Sequence, residues 1–393
     1  MDLKYNPYSE DLRRDPWPLF KRLRDEAPVY YMEEFDAWAL SRFEDVWQAS
    51  MDPQSYSASG GTSMDALLRS TGPQPSVFLF KDPPEHAKYR NVIRGPYQKD
   101  SVNQIEGKVR GLAREQLNEL RDGGQIDLYA VASRVALYNI ADMIGLERDV
   151  IRHIRALIDR FYQRESGIAG VTPAGLQAFG ELRDYVMGMI EDLRRDPPGP
   201  HTHIGAWLAG GDRLEPMSDD ELFFNIFAMT VTGSDTVPLS TAATIYYLTE
   251  HPDQMRAVRE DRGLIPHAFE EAARFDQPTN ILGRTVKKEV VIHGKTLKVG
   301  QKVLFLYAAA NRDEREFERA DEFLIERRPE RTLSFGIGPH FCLGQHLARL
   351  EGRVILEELF EAAGDLVVDK GRCSRIDGEF LQGFNHLPVE LRS

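Results

Sequence analysis

The sequence predicts a mainly α-helical fold with a small β portion. Apolar residues recur at helical spacing through most of residues 84–249, as they do in amphipathic helices packed on a core. Residues 286–305 and 365–389 instead have the composition of short strands joined by turns. The chain contains no internal repeat and no low-complexity segment, so residues 1–393 are predicted to form a single domain.

The N-terminal part of the chain mixes short elements. The residue pattern and the positions of Pro and Gly predict an extended lead-in at residues 5–14 and a helix at 18–26. They then predict a pair of strands at 29–40 and a second helix at 43–51. Residues 56–80 are rich in Gly, Ser and Pro around a short helical stretch at 64–68. Long irregular segments inside a folded chain are often functional, so this one is a candidate functional loop.

Helices dominate the middle of the chain. Five are predicted from apolar spacing, at residues 84–97, 102–120, 128–145, 150–162 and 176–195, and a stiff proline-rich loop follows at 196–200. The longest predicted helix spans residues 218–249 and begins with a capping box formed by Ser218 and Glu221. A last helix is predicted from 345 to about 363.

The interior of the longest predicted helix contains two residues that helices disfavour. Gly233 lets another group approach closely, and Pro238 has no N–H to donate to the carbonyl four residues earlier. A kinked or widened turn is therefore predicted here. A back-bond from the Thr236 hydroxyl to the Thr232 carbonyl would hold that turn open.

Composition excludes several classes of function. A net charge of −13 argues against a general nucleic-acid role. Two cysteines in 393 residues argue against a disulfide framework and favour a reducing, cytoplasmic location. No apolar run is long enough to span a bilayer, so no membrane association is expected.

The most informative stretch is Phe335–Gly344, which reads FGIGPHFCLG and precedes a helical pattern from Gln345. A cysteine just before a helix faces free backbone N–H groups and the positive end of the helix dipole, which favour a thiolate acting as nucleophile or metal ligand. The glycines would let a flat, bulky partner approach the backbone. The alternative is a buried structural cysteine at a helix start.

This stretch resembles the haem-binding loop of cytochromes P450, in which a cysteine thiolate is the axial ligand of haem iron. The resemblance implies the P450 fold, a helical prism around haem, and haem b (iron protoporphyrin IX) as cofactor, with Cys342 on the iron. It also implies further haem contacts at positions that match the family, which are Gly233, Thr236, Leu282, Ser334, Phe335, Gly336, Gly344 and Ala348.

Haem carries two carboxylates, which need positive or donor partners when they are buried. Four residues at family positions are expected to supply them. His86 and Arg90 share one helix face in a DPPEHAKYR segment that resembles the start of the family's C helix. Arg284 and His340 match the remaining two positions.

Residues 232–236 read TGSDT and resemble the oxygen-binding helix of the same family. The resemblance implies that Asp235 and Thr236 deliver protons to dioxygen, so that O–O cleavage releases water instead of leaking peroxide. Thr232 departs from the family pattern, which usually has Ala or Gly there. We hypothesise that its hydroxyl bonds substrate or a nearby water; the alternative is a bond to its own backbone.

Glu271 and Arg274 resemble the family's E-x-x-R pair, and Arg327 resembles the arginine that completes that ion-pair network. Three-residue spacing places Glu271 and Arg274 on one helix face. Losing one member of a buried network typically costs about 3–5 kcal/mol. These residues are therefore assigned to folding and haem retention.

The family's substrate pocket is formed by four stretches, and most of the residues at matching positions are apolar or aromatic. They are Val77, Phe78, Leu79, Phe224, Ala228, Met229, Thr232, Ile281, Leu282, Phe384 and Asn385. This lining suits a small hydrophobic substrate of aromatic or terpenoid size. Arg69, in the irregular segment, is the candidate for holding a carboxylate.

The chain has neither the extra length nor the cysteine cluster that a flavin or iron–sulfur domain would need. Electrons are therefore expected from NAD(P)H through a separate reductase and ferredoxin, and the protein is expected to be a monomer. An acidic ferredoxin would need a local positive patch, for which the candidates are Arg94, Lys99, Arg349 and Arg353.

The leading interpretation is a haem-thiolate monooxygenase that inserts one atom of dioxygen into its substrate. A peroxide-driven or isomerising haem-thiolate enzyme is the second interpretation, and the intact Asp235–Thr236 pair argues against it. The third is a non-enzymatic haem- or ligand-binding protein.

Overall fold

The computed structural model describes residues 3–69, 74–210 and 215–392, without the side chains of Arg13 and Arg69. Its α-helices are α1 (Glu10–Arg14), α2 (Trp17–Glu26), α3 (Phe43–Met51), α4 (Glu85–Ile93), α5 (Lys99–Gln104), α6 (Glu106–Glu119), α7 (Leu128–Ile144), α8 (Arg148–Tyr162), α9 (Pro173–Arg195), α10 (His203–Ala209), α11 (Asp219–Ser234), α12 (Thr236–Glu250), α13 (Pro252–Glu260), α14 (Ile265–Phe275), α15 (Tyr307–Ala310) and α16 (Gln345–Ala362).

The β-strands are short and lie mostly within residues 29–57, 281–306 and 365–392. They are β1 (Val29–Met32), β2 (Ala37–Leu40), β3 (Tyr56–Ser57), β4 (Gln125–Asp127), β5 (Ile281–Val286), β6 (Val290–Ile292), β7 (Lys295–Leu297), β8 (Lys302–Leu306), β9 (Asp365–Val368), β10 (Ser374–Arg375), β11 (Phe384–His386) and β12 (Pro388–Arg392). The predicted fold class, mainly α with a small β portion, is confirmed.

The largest sheet joins the N-terminal strands to the later β region. Its strand order is β1-β2-β8-β5-β3, with β2 parallel to β8 and the other pairs antiparallel. The strand pair predicted at 29–40 is present as β1 and β2. Strand β5 begins at Ile281, five residues before the predicted β segment.

Several element predictions were wrong in detail. The lead-in contains the short helix α1, and the single helix predicted over 102–120 is divided at Ile105 into α5 and α6. Helix α10 was missed because its seven residues follow a proline-rich loop and carry too few turns for apolar spacing to reveal them. The helical stretch predicted at 64–68 is a π-helical turn at Asp65–Arg69.

The helix predicted over 218–249 is divided at Asp235 into α11 and α12. The predicted capping box forms at its start, where Ser218 and Glu221 exchange side-chain-to-backbone hydrogen bonds. Pro238 cannot donate to the Ser234 carbonyl, and the break falls at that point. The longest unbroken helix is therefore α9, with 23 residues.

The core is built around α11 and α12. Helix α12 packs against α7, α14 and α16, and α11 packs against α7 and α9. Helices α14 and α16 approach closely at Gly352, where a Cβ atom would stand 2.3 Å from the Phe269 ring. Because α16 follows the cysteine loop directly, this packing fixes the position of that loop. Within the described ranges, no helix combines the length and apolar character needed to cross a bilayer.

The predicted ion-pair network of Glu271, Arg274 and Arg327 is present. Arg274 donates to both carboxylate oxygens of Glu271 at 2.7 and 2.8 Å, and Arg327 Nε reaches the same carboxylate at 3.2 Å. Arg274 also donates to the carbonyls of Asn311 and Ala320, so it joins α14 to the segment that leads into the cysteine loop. Both Glu271 and Arg274 are buried.

Candidate active site

A deep cavity lies between α11, α12, β5 and the cysteine loop, with about 1720 Å³ of space free of protein atoms, its opening to solvent included. Its walls are mostly apolar with a few polar groups, which is the usual composition of a site for a small molecule or a cofactor.

The cysteine loop forms one wall of the cavity. The Cys342 N–H donates to the Phe335 carbonyl at 2.9 Å, which closes the loop so that the sulfur faces the cavity. Gly336 has φ +65°, and a Cβ there would meet only the His340 carbonyl oxygen, at 4.0 Å, so the backbone leaves room for a flat partner. Gly338 has a different role from the predicted one, because a Cβ there would stand 2.4 Å from the Ser50 carbonyl oxygen on α3.

The stabilisation that the helix start was predicted to give a Cys342 thiolate is present in the Gly344 N–H, but it is not the largest effect on the thiol. Burial raises the pKa of the Cys342 thiol, and this effect outweighs the Gly344 N–H and the positive charges of Arg90 and Arg349. A metal cation next to the sulfur would supply the missing stabilisation of the thiolate. Among the described residues, no group of three His, Cys, Asp or Glu side chains is arranged to hold a metal ion.

Four cationic or donor side chains meet beside this wall. The rings of His86 and His340 pack with their centroids 4.2 Å apart and their planes tilted by 37°. Arg90 donates to the Phe341 carbonyl at 2.6 Å, and the buried Arg284 donates to the carbonyl of its neighbour Gly283 at 2.7 Å. Nε2 of His86 has no hydrogen-bond partner in the described chain.

The electrostatics of this cluster indicate an anionic ligand. Burial, reinforced by the positive charges of Arg90 and Arg284, lowers the pKa of His86 to about 4. Burial and the same neighbours lower the pKa of His340 to about 2. Buried positive charges need partners, so the site favours groups such as carboxylates.

Asp235 and Thr236 lie at the break between α11 and α12, on the opposite side of the cavity. Asp235 is buried and forms an ion pair with Arg155 of α8, which also donates to the Ser234 hydroxyl at 3.0 Å and to the exposed Asp159. Burial raises the pKa of Asp235, and Arg155 opposes this rise. The carboxyl group is therefore held away from bulk solvent with its charge paired.

Two predictions about the threonines differ from the observed geometry. No bond forms between the Thr236 hydroxyl and the Thr232 carbonyl, so Thr236 lines the cavity without that back-bond. Thr232 also lines the cavity, but its hydroxyl donates to the Ala228 carbonyl at 2.8 Å, as the alternative interpretation expected. Only its oxygen lone pairs are available to a ligand.

The remaining haem-contact predictions fall on the cavity wall, apart from His86, which lies behind His340. The residues that line the cavity are Arg90, Gly233, Leu282, Arg284, Ser334, Phe335, Gly336, His340, Gly344 and Ala348. At Gly233, however, the close neighbour is Ile140, which a Cβ atom would meet at 2.5 Å. The missing side chain there therefore serves helix packing.

Among the predicted substrate contacts, five line the cavity: Phe78, Leu79, Met229, Thr232 and Leu282. The other six do not, and they are Val77, Phe224, Ala228, Ile281, Phe384 and Asn385. Ile281 points into the core because neighbouring strand residues face opposite sides. Phe224 packs on Phe223 and Phe179 instead.

Val77 is buried in the core, and Ala228 lies one residue before Met229 on α11, about 100° around the helix from it. At the C-terminal end, Phe384 packs on Tyr246 and the Asn385 side chain is exposed. The turn that reaches the cavity is four residues earlier, at Phe380 and Leu381. The predicted role of Arg69 concerns a side chain outside the described part of the structure.

Sequence reasoning also missed several wall residues, among them Thr62, Tyr97, Ser240, Thr279, Tyr307 and Glu351. Glu351 of α16 accepts a hydrogen bond from Asn139 at 2.7 Å. Burial raises its pKa to about 7, although the Asn139 bond opposes this. The sequence could have revealed Glu351 as a buried carboxyl group, because it follows Leu347 by four residues and therefore lies on the apolar face of the helix.

A buried ionic cluster joins three segments near the cavity. Arg164, in the segment between α8 and α9, lies 2.6 Å from Glu379 and 3.6 Å from Asp65. Glu379 directly precedes the wall residue Phe380, and Asp65 lies three residues after the wall residue Thr62. Arg164 and Glu379 have side-chain exposures of only 4% and 2%.

Comparison with known proteins identifies the family. The cytochrome P450 family model matches residues 209–362. The sequence assigned as cytochrome P450 123 in Mycobacterium tuberculosis is 35% identical and covers 100% of this chain and 98% of its own length. Cytochrome P450 130 of the same organism is 30% identical, with 96% of both chains covered.

Solved structures agree with this result. A mutant of P450 EryK in complex with erythromycin B is similar with a TM-score of 0.84 and 26% identity over 96% of both chains. CYP109E1 from Bacillus megaterium in complex with testosterone shares the fold with a TM-score of 0.87 at 24% identity, covering 98% of this chain and 100% of that one.

The chain belongs to the cytochrome P450 family. It is a P450 monooxygenase, an oxidoreductase whose family uses haem iron, dioxygen, a substrate and electrons from a redox partner. The residues present fit haem. The unpartnered Nε2 of His86 and the cationic cluster suit the carboxylates of a porphyrin, and the bare backbone of Gly336 on the cavity wall suits its flat face.

Proposed function

We propose that this monooxygenase binds haem b with Cys342 as the iron ligand and with His86, Arg90, Arg284 and His340 around the two propionates. The observation that carries this proposal is the buried positive cluster beside a cysteine that faces a cavity. When bound, thiolate-ligated haem supplies the oxidising power that inserts one atom of dioxygen into a C–H bond.

Proton delivery is assigned to Asp235 and Thr236. Thr236 lines the cavity, so its hydroxyl can hand a proton to a ligand there, and the adjacent carboxyl group of Asp235 can replace that proton. Asp235 must then exchange its proton with solvent. Its ion pair with Arg155 leads to the exposed Asp159, so breaking that pair would open the route outward.

The substrate is a neutral, mainly hydrophobic molecule of aromatic or terpenoid size. Phe78, Leu79, Met229, Phe380 and Leu381 supply apolar walls that exclude water from it. Polar contacts come from hydroxyl and amide groups, and Thr232 can contribute only as an acceptor. Hydroxylation of a C–H bond or demethylation of an ether would both suit this lining.

Electrons are assigned to NAD(P)H through a separate reductase and an acidic ferredoxin. Of the four predicted patch residues, Arg349 pairs with Glu270, and Arg353 pairs with Glu106 and Glu357. Arg94 and Lys99 are exposed and make no ion pair within the described chain, so they are the better candidates. The monomeric state and the cytoplasmic location stay predictions.

The haem site and the substrate class are tested by separate experiments. The purified protein should carry haem, and its reduced carbon monoxide complex should show the strongly red-shifted band of thiolate ligation. Cys342→Ser should abolish that band, whereas the matched control Cys373→Ser, at the chain's other cysteine, should keep it. A native protein that purifies without haem, or a band that survives in Cys342→Ser, would contradict the assignment.

The substrate class is tested on the haem-loaded protein. Neutral aromatic and terpenoid compounds should shift the haem spin state, and their carboxylate analogues should do so more weakly. With NADH, a ferredoxin reductase and a ferredoxin, those ligands should yield oxygenated product. A consistent preference for the carboxylates would overturn the proposed neutral substrate while leaving the haem site intact.

A further inference from the structure

A buried tyrosine–histidine pair lies against the cysteine loop and has no part in the function assigned above. Tyr97 ends the short 3-10 turn after α4, and its ring edge is 3.9 Å from the point where a Gly344 Cβ would stand. The ring lines the same cavity as Cys342. Its hydroxyl points the other way and lies 3.1 Å from Nε2 of His203, the first residue of α10.

Both groups of this pair are neutral and sealed from water. Tyr97 is 4% exposed and His203 is 1% exposed. The rings stack with centroids 5.6 Å apart. Burial raises the pKa of Tyr97 well above its usual value, and burial lowers the pKa of His203 to about 3. In the tautomer with its proton on Nδ1, His203 accepts the hydrogen bond of the phenol.

A packing role alone does not account for this arrangement. Nδ1 of His203 and Nε1 of the fully buried Trp207, whose rings are 5.5 Å apart, have no hydrogen-bond partner in the described chain. Leaving such groups unsatisfied in the interior destabilises the folded state. Phenylalanine and leucine would fill the same space without that cost.

We propose that Tyr97 is a redox-active residue that gives one electron to the oxidised haem centre while His203 takes its proton. This inference rests on the proposed haem site. Tyrosine is hard to oxidise unless its proton leaves with the electron, because the phenol radical cation is a very strong acid. A base within hydrogen-bond reach, about 2.6–3.2 Å, removes that obstacle.

The step balances with a peroxide or peracid as the oxidant, which raises the haem centre above its resting state. The O–H bond of Tyr97 breaks and an N–H bond forms at Nε2 of His203. The electron passes to the haem centre, which loses one oxidising equivalent. A neutral tyrosyl radical and an imidazolium remain, held together by the same hydrogen bond.

Oxidation of Tyr97 would therefore consume oxidising equivalents when no substrate C–H bond is within reach. Tyr97 lies beside the cysteine loop, so it competes with damage to the sulfur and the porphyrin. Tyr307 provides a matched comparison, because it also lines the cavity but bonds to the Ser50 hydroxyl at 3.2 Å, which is no base.

Freeze-quench electron paramagnetic resonance of the haem-loaded ferric protein, mixed with a peracid in the absence of substrate, tests this assignment. A tyrosyl signal should form and should change shape when the protein carries ring-deuterated tyrosine. Tyr97→Phe should lose it, and Tyr307→Phe should keep it. His203→Gln, which keeps an acceptor but no base, should slow its formation by about tenfold or more.

Each variant is first checked for haem content and for the red-shifted carbon monoxide band. If the wild-type protein itself lacked haem and the red-shifted band, the proposed function would fail together with this inference. If His203→Gln fails to fold, Tyr97→Phe still decides the result. A tyrosyl signal unchanged in Tyr97→Phe, or a radical centred on Trp207, would overturn the inference while leaving the haem site standing.

Discussion

The buried carboxyl group of Glu351 should make the folded protein less stable as the pH rises from about 4.5 to about 7. In the folded protein burial raises the pKa of Glu351 from 4.5 to about 7. An unfolded chain would release that proton near the lower value, so the folded state binds more protons throughout this window. Stability is therefore fully present below the window and falls as the pH passes through it.

The size of the effect follows from the same two values. Each tenfold difference in proton affinity corresponds to about 1.4 kcal/mol. The rise from 4.5 to about 7 therefore amounts to about 3 kcal/mol, with no reduction for solvent screening because Glu351 is only 1% exposed. Above the window the loss should be constant, since both states are then ionised.

The assay is urea unfolding of the haem-loaded protein and of Glu351→Gln across this pH range. The glutamine keeps an oxygen that can accept the Asn139 hydrogen bond but cannot ionise. The difference in unfolding free energy between the two proteins should grow by about 3 kcal/mol from the acid to the neutral end. Glu361→Gln, at an exposed position at the end of the same helix, should run parallel to wild type. If the unfolding free energies of the wild type and of Glu351→Gln changed in parallel with pH, the reasoning would be refuted.

Two further predictions concern charged groups at opposite sides of the site. Arg155→Met should destabilise the protein by about 3–5 kcal/mol, because Asp235 would be left buried without its partner. The double variant Arg155→Met/Asp235→Asn should recover most of that loss, and no recovery would contradict the pairing. As a control, Asp159→Asn, at the exposed end of the network, should change the unfolding free energy by about 1 kcal/mol or less. Charge reversal at Arg94 or Lys99 should slow reduction by an acidic ferredoxin at low salt, in stopped-flow measurements, and the effect should fade as salt is added. Lys295→Glu, on the separate β6–β7 hairpin, should leave the rate unchanged, and equal slowing there would refute a local patch.

The sequence was sufficient for features carried by periodicity or by a dense motif. Helix α3 has the predicted bounds, and the capping box at Ser218 and Glu221 forms as expected. The cysteine loop could be located because its residues must be contiguous. That residues 1–393 form one domain stays a prediction.

Features set by distant partners could not be predicted. The pairing of Asp235 with Arg155 joins α8 to the helix break, and no spacing in the sequence connects them. The orientation of Ile281 against Leu282 depends on which side of β5 faces the cavity. The role of Cys342 was predicted from its helix start and from the motif around it, whereas the largest effect on the pKa of its thiol is burial, which depends on the whole fold.

The cluster of Arg164, Glu379 and Asp65 has a consequence for the timing of catalysis. It ties together three stretches of backbone that are far apart in the sequence, and two of them border the cavity. Parting Arg164 from Glu379 would strand a charge in a dry environment, so the segment between α8 and α9 and the turn at Phe380 are expected to move together. Motions that widen the cavity at this turn would then be infrequent and would have a steep temperature dependence.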